Sequence, residues 1–169
     1  VGLGVFLMSC GSGALNQWQE RKIDAQMPRT RNRPIPSGSI TPFEGLLITL
    51  LFLTAGSLVL LFTQPLIALV LSWLTLVFYN LVYTPLKKVT AFAVIPGSMV
   101  GAIPPIIGWT AAGGSIFSEG IILVAVFFFI GQIPHFWLLL LLFGKQYALA
   151  GLPSINQLFS ESQIKRITY

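Results

Sequence analysis

Residues 43–83 read FEGLLITLLFLTAGSLVLLFTQPLIALVLSWLTLVFYNLVY, and they decide the fold class. Glu44, at the start, is the only charge in the stretch, and Gln64-Pro65 is the only interruption. A helix that crosses a bilayer needs roughly 20 mainly apolar residues, because the hydrocarbon core is about 30 Å thick. Residues 43–63 and 66–83 each meet that requirement, and the proline between them leaves almost no loop, so the pair reads as a tight helical hairpin. Working outward, 91–112 and 119–143 are two further spans, and 1–18 resembles the second part of a fifth. Pro96, Pro104 and Pro105 fall inside the span at 91–112. Membrane helices tolerate proline where neighbouring groups satisfy the freed carbonyls, so the span is expected either to kink simply or to unwind and line a cavity.

Composition agrees with that reading. Of the 169 residues, 54% are hydrophobic and 9% charged, too little polar surface for a water-soluble domain. The expectation is a single membrane domain over 1–169, all-α and polytopic, cut at both ends from a longer chain. The single cysteine, Cys10, excludes an internal disulfide or a cysteine-built metal site and is expected to pack as a small apolar residue. All ten lysines and arginines lie in the connections 18–42, 84–90 and 144–169, and none lies in Gln64-Pro65 or 113–118. By the positive-inside rule the basic connections face the cytoplasm. Topology accounts for the net charge of +5, and no aromatic-interleaved basic stretch points to nucleic acid.

Polar chemistry concentrates in residues 16–38, NQWQERKIDAQMPRTRNRPIPSG. Asn16, Glu20 and Asp24 recur every fourth residue. On a helix each such step advances by about 40° and climbs about 6 Å, so the three oxygen-bearing side chains share one face at the end of a membrane helix. Magnesium favours such a setting, with one or two carboxylates and oxygens from a substrate phosphate. Arg29, Arg31 and Arg33 follow directly, and guanidinium groups bind phosphate or carboxylate oxygens bidentately. Two readings fit: a site for a magnesium-bound diphosphate, or a solvated loop whose arginines only fix topology. His135 is the only histidine, and a lone histidine within a membrane span is read either as functional or as hydrogen-bonded to a neighbouring helix.

The stretch 16–38 resembles the first aspartate-rich motif of the UbiA-type intramembrane prenyltransferases and, within them, the protoheme IX farnesyltransferase (haem O synthase) branch. Three further blocks are similar, in the same order: YTPLKKVT at 83–90 with GAIPPIIGW at 101–109, QIPHFW at 132–137, and AGLP at 150–153. The resemblance implies a helical bundle around a cavity, with about five of the family's roughly nine spans present here. It implies transfer of a farnesyl group from farnesyl diphosphate to a vinyl group of haem b. Asn16, Glu20 and Asp24 would hold Mg2+ and, with Lys87 and His135, form the catalytic set. Arg29, Arg31, Arg33, Tyr83, Lys88, Gln132, Gln146 and Tyr147 would bind substrate. Tyr79, Tyr83, Trp109 and Phe136 are candidate neighbours for an allylic cation, or else ordinary packing and interfacial residues. His135 would be a haem ligand or a general base. Implied surroundings are the lipid bilayer of a bacterial inner membrane and, as partners, a haem A synthase or terminal oxidase assembly factors. The chain departs from the pattern at Gln146, where an acidic residue is usual before Tyr147, and at Lys22, and both changes remove negative charge from the expected metal site. Competing readings are a UbiA-type enzyme with a quinone-precursor or chlorophyll-type acceptor, a non-catalytic haem-binding assembly protein, and a transporter. Kinked helices occur in transporters too, but here the polar residues gather toward one side.

Overall fold

The computed structural model describes residues 1–168, and those residues contain helices and connecting turns without a strand. Six helical elements follow in order: α1 (Gly2–Asp24), α2 (Pro42–Thr63), α3 (Leu66–Leu86), α4 (Ala91–Ala111), α5 (Glu119–Leu149) and α6 (Glu161–Thr168). Four of them, α2 to α5, are long and apolar enough to cross a membrane. Much of their surface is apolar and outward-facing, including Leu50, Phe62, Leu81 and Phe127. A soluble protein rarely carries so continuous an apolar exterior, whereas hydrocarbon accepts it.

Local chemistry sets the ends of the helices. Thr41 caps α2 by accepting a hydrogen bond from the Glu44 N–H at 3.2 Å, and the Glu44 carboxylate accepts one from the Thr41 N–H at 2.7 Å, with Pro42 in the first turn. Pro65 opens α3 one residue after α2 ends, so the two helices form the expected hairpin. Trp73 of α3 donates to Ser57 Oγ of α2 at 3.1 Å.

Close packing of α1 on α2 depends on small residues. Leu60 and Leu53 of α2 lie over Gly4 and Gly11, where a Cβ would come within 2.6 and 2.7 Å of a leucine carbon. A Cβ on Gly56 would stand 2.9 Å from the Met8 backbone nitrogen and 3.0 Å from the Gly4 carbonyl oxygen. Small residues allow this approach in membranes, where helix association relies on packing rather than on expulsion of water.

Three features refine the sequence expectation or differ from it. First, α3 is not uniformly α-helical: Val77–Tyr83 wind as a π-helix, flanked by Leu66–Leu76 and Thr84–Leu86. Second, α4 is interrupted, one of the two outcomes expected of its prolines. A 3-10 turn (Ala91–Ala93) and a short helix (Val94–Gly97) lead to Ser98, after which the helix resumes over Met99–Ala111 with Pro104 and Pro105 inside it. The buried Ser98 hydroxyl donates to the Val94 carbonyl at 2.8 Å. Third, α5 continues through residues 144–149, read from sequence as a loop. Nothing in Lys145–Leu149 breaks a helix, and the stop comes at Gly151, whose φ of +70° suits a residue without a Cβ.

The glycine contacts yield a test. Gly56→Leu should lower stability by about 2 kcal/mol or more, since the side chain meets backbone rather than a movable neighbour. Gly108→Ala, where nothing lies within 4 Å, should cause no loss. Thermal unfolding of the full-length parent in detergent measures both.

Candidate functional site

Beyond the last apolar turn of α1, Asn16, Glu20 and Asp24 project from one face and are 5%, 4% and 2% exposed. Burial at this depth forces ionised carboxylates to find cations. Glu20 Oε2 accepts from Lys87 Nζ at 2.7 Å, and Asp24 Oδ2 accepts from Arg33 Nη1 at 2.9 Å. Asn16 Nδ2 donates to Thr84 Oγ1 at 3.0 Å, and the Thr84 hydroxyl donates onward to the Tyr79 carbonyl at 2.8 Å. One turn deeper, Asn80 is fully buried and joined to Ser12 and Gln19. A continuous polar seam therefore binds α1 to the second half of α3.

A cavity of about 260 Å3 opens against this seam. Asn16, Glu20, Asp24, Arg29, Arg33 and Lys87 supply its charged and polar wall, with Tyr79, Tyr83, Phe136 and Tyr147 as aromatic neighbours. Tyr83 stacks on Tyr79 with ring centroids 5.9 Å apart and tilts toward Phe136 at 5.7 Å. Lys87 Nζ lies 5.1 Å from the Tyr83 centroid, and the Arg29 guanidinium 5.0 Å from that of Phe143. Gly97 makes room for Tyr83, because a Cβ there would fall 2.6 Å from its ring. Leu152 and Pro153, brought back by the turn at Gly151, complete the cover. A second cavity, about 300 Å3 and mostly apolar, lies deeper between α1, α3 and α4, and Tyr79 lines both.

The donor set suits a hard divalent cation. Glu20 Oε1 is buried without a hydrogen-bond partner, an arrangement costly for a carboxylate unless something else binds there. Among the described residues no group of three or more His, Cys, Asp and Glu side chains forms. Glu20, with its free oxygen, and Asp24 and Asn16 along the same wall are the residues that could hold such a cation together with water and phosphate, the habit of magnesium rather than of zinc.

Not every residue singled out from sequence reaches this cavity. Arg31 and Lys88 are exposed and outside its lining. Lys22 is also exposed, away from the face that carries Glu20 and Asp24, so its charge does not enter the site. His135 sits on an exposed part of α5, its ring 6.1 Å from that of Phe136, and does not line the cavity. Gln132 packs over Gly101 of α4. Gln146 does not line the cavity, and its Oε1 is buried without a partner. Trp109 donates to the Ser115 carbonyl at the opposite end of the spans. Conversely, sequence reading passed over Ser12, Gln19, Asn80 and Thr84. For Asn80 and Thr84 the available signal was a row of small or polar residues, Ala68, Ser72, Asn80 and Thr84, spaced by multiples of four along an otherwise apolar helix; Ser12 and Gln19 had none.

Removing one member of the buried pair should be costly, whereas the surface pair should hardly register. Lys87→Met leaves Glu20 buried and uncompensated and should cost about 3 kcal/mol, recovered in large part by adding Glu20→Gln. Lys165→Ala removes a 2.7 Å pair with Glu161 in which both side chains are more than half exposed, and should cost under about 0.5 kcal/mol. Unfolding of the full-length parent in detergent provides the comparison.

Comparison with known proteins places the chain in a family. A profile of the UbiA prenyltransferase family matches residues 1–169. The protoheme IX farnesyltransferase of Oleidesulfovibrio alaskensis is 41% identical over 150 residues, covering 89% of this chain and 53% of the relative. That of Geobacter sulfurreducens is 43% identical over 150 residues, covering 89% and 55%. That of Methylobacterium radiotolerans is 41% identical over 165 residues, covering 97% and 52%. The chain thus spans about half the length of the curated relatives it matches. No solved structure matches it. With the family profile matching from end to end, the chain belongs to the UbiA prenyltransferase family.

Proposed function

We propose that the chain forms the diphosphate-binding part of an enzyme that transfers a farnesyl group from farnesyl diphosphate to haem b, giving haem O. The observation that carries this reading is the cavity wall. Two buried carboxylates, one with an unpartnered oxygen, stand beside Lys87, Arg29 and Arg33, and a separate, mostly apolar cavity lies deeper, with Tyr79 lining both. A diphosphate on an isoprenoid chain has those two parts, a polyanion and an apolar tail. The relatives' names support haem as the acceptor.

In the reaction the allylic C–O bond breaks and diphosphate leaves with the electron pair. A C–C bond forms between the farnesyl carbon and the terminal vinyl carbon of haem. Water adds as hydroxyl to the other vinyl carbon and its proton is released, so haem b, farnesyl diphosphate and water give haem O and diphosphate. Asn16, Glu20 and Asp24 would hold magnesium, which when bound neutralises negative charge developing on the leaving group. Lys87 and Arg33 pair with carboxylates in the structure and would turn their donors to the diphosphate. Arg29 stands at the same wall, while the exposed Arg31 and Lys88 would meet diphosphate or haem propionates only from outside it. Tyr79, Tyr83 and Phe136 would present ring faces to the allylic cation and keep water from it until the vinyl group attacks. Tyr147 would close the cavity from the end of α5. The deeper cavity would take the farnesyl chain. His135 and Gln132, outside the cavity, would act on the haem side as ligand or base and as its support.

The basic connections would lie in the cytoplasm of a bacterium and the spans in its inner membrane, with product passing to a haem A synthase or terminal oxidase assembly factor. The test is haem O formation. The full-length parent in membranes, given haem b, Mg2+ and farnesyl diphosphate, should yield haem O by mass spectrometry. Asp24→Asn should lower the rate by at least about 100-fold, the usual scale for losing a charge-stabilising group. Chelation of Mg2+ should abolish product and its return restore it. A well-folded parent that binds haem yet makes no haem O would favour a non-catalytic haem-binding protein.

A further inference from the structure

The buried residues of α3 occur at Ala68, Ser72, Leu76, Asn80 and Thr84, a spacing of four throughout. On an unbroken α-helix of 3.6 residues per turn, that row would drift by about 160° around the axis from first to last. The π-turn absorbs much of the drift, since one inserted residue rotates all that follows by about 100°. Ala68 can therefore pack with Ile103 and Ile107 of α4 while Asn80 and Thr84 meet α1. Tyr83 and Lys87 come after the turn, so its presence sets where they stand.

The turn has a specific backbone consequence. The Thr84 N–H bonds to the Tyr79 carbonyl, five residues back, rather than to Asn80. The residue that would reach the Asn80 carbonyl in the same pattern is Pro85, which has no N–H. Gln19 of α1 supplies the missing donor, its Nε2 lying 3.0 Å from the Asn80 carbonyl oxygen. The Asn80 side chain is fixed as well. Its Oδ1 accepts from Ser12 Oγ at 2.6 Å, and its Nδ2 donates to the Ser12 carbonyl and to Gln19 Oε1, both at 3.1 Å. A fully buried amide with every group satisfied costs little in place, but would be expensive if the turn relaxed and left those groups in an apolar bundle.

We propose that Asn80 is a positioning residue: clamped by Ser12 and Gln19, it holds the π-turn of α3 and so sets Lys87 against Glu20 and Tyr83 against the cavity. Asn80 lines neither cavity and acts through the residues that follow it. Its part in turnover rests on the prenyl-transfer reading; its part in helix register does not.

Two readouts on the full-length parent separate these claims. For register, cysteines replace Glu20 and Lys87, and a short bifunctional thiol reagent measures their proximity in membranes. Asn80→Leu, or Gln19→Met, should lower the cross-linking rate about fivefold or more, as expected when a 100° rotation carries position 87 away from α1. For turnover, Lys87→Ala is measured in both backgrounds. If Asn80 works through Lys87, the loss caused by Lys87→Ala should shrink to less than about twofold once Asn80 is leucine, the non-additivity of coupled residues. Unchanged cross-linking in both variants, or an equal effect of Lys87→Ala with and without Asn80, overturns the proposal. If Asn80→Leu does not fold, Gln19→Met decides both readouts alone. A parent that makes no haem O removes the proposed reaction and leaves the cross-linking result to stand or fall by itself.

Discussion

Glu20 and Asp24 are carboxylates at the end of an apolar bundle, and their charge governs the arrangement around them. An ionised group at such a site has few ways of being accommodated: a cation, several donors, or protonation. Here cations are brought from two directions. Arg33 arrives from the connection after α1, and Lys87 from the far end of α3, 67 residues along the chain. Each ion pair ties together backbone segments that apolar packing alone would leave free to slide. Breaking either is penalised more heavily than forming it is rewarded, because the remaining carboxylate would stay buried without its cation.

That arrangement is divided by depth. Toward the middle of the bundle α1 meets α2 through glycines that let the backbones approach closely, with one weak polar contact, Ser57 Oγ to Met8 Sδ. Toward the basic end it meets α3 through amides and hydroxyls, and finally through full charges. The same helix changes its mode of contact along its length because the partners available change with distance from water. The two cavities follow that gradient, one charged and near the basic connections, the other apolar and deeper.

Helix class and the approximate spans were legible from sequence because both depend on local quantities, the length and hydropathy of runs such as 43–63. The shared face of Asn16, Glu20 and Asp24 was legible for the same reason, since helical period is a local property. Pairing of Glu20 with Lys87 was not, because nothing local relates residues so far apart. The π-turn also escaped: Pro85, which can donate to no carbonyl, is visible in the sequence, but the burial of every fourth residue and the contacts of Asn80 with α1 are not. Residues 144–149 were misjudged because a fall in hydropathy marks the edge of a membrane, not the end of a helix. His135 invited a role as haem ligand or general base by being the only histidine; helix register sets it on an exposed part of α5, outside the cavity.

The length of α5 has a mechanical consequence. Its 31 residues span about 46 Å, against roughly 30 Å of hydrocarbon, so several turns stand clear of the lipid tails. Tyr147 sits in the last turn of that helix and lines the cavity. A change in bilayer thickness that tilted this helix would therefore also move one wall of the cavity.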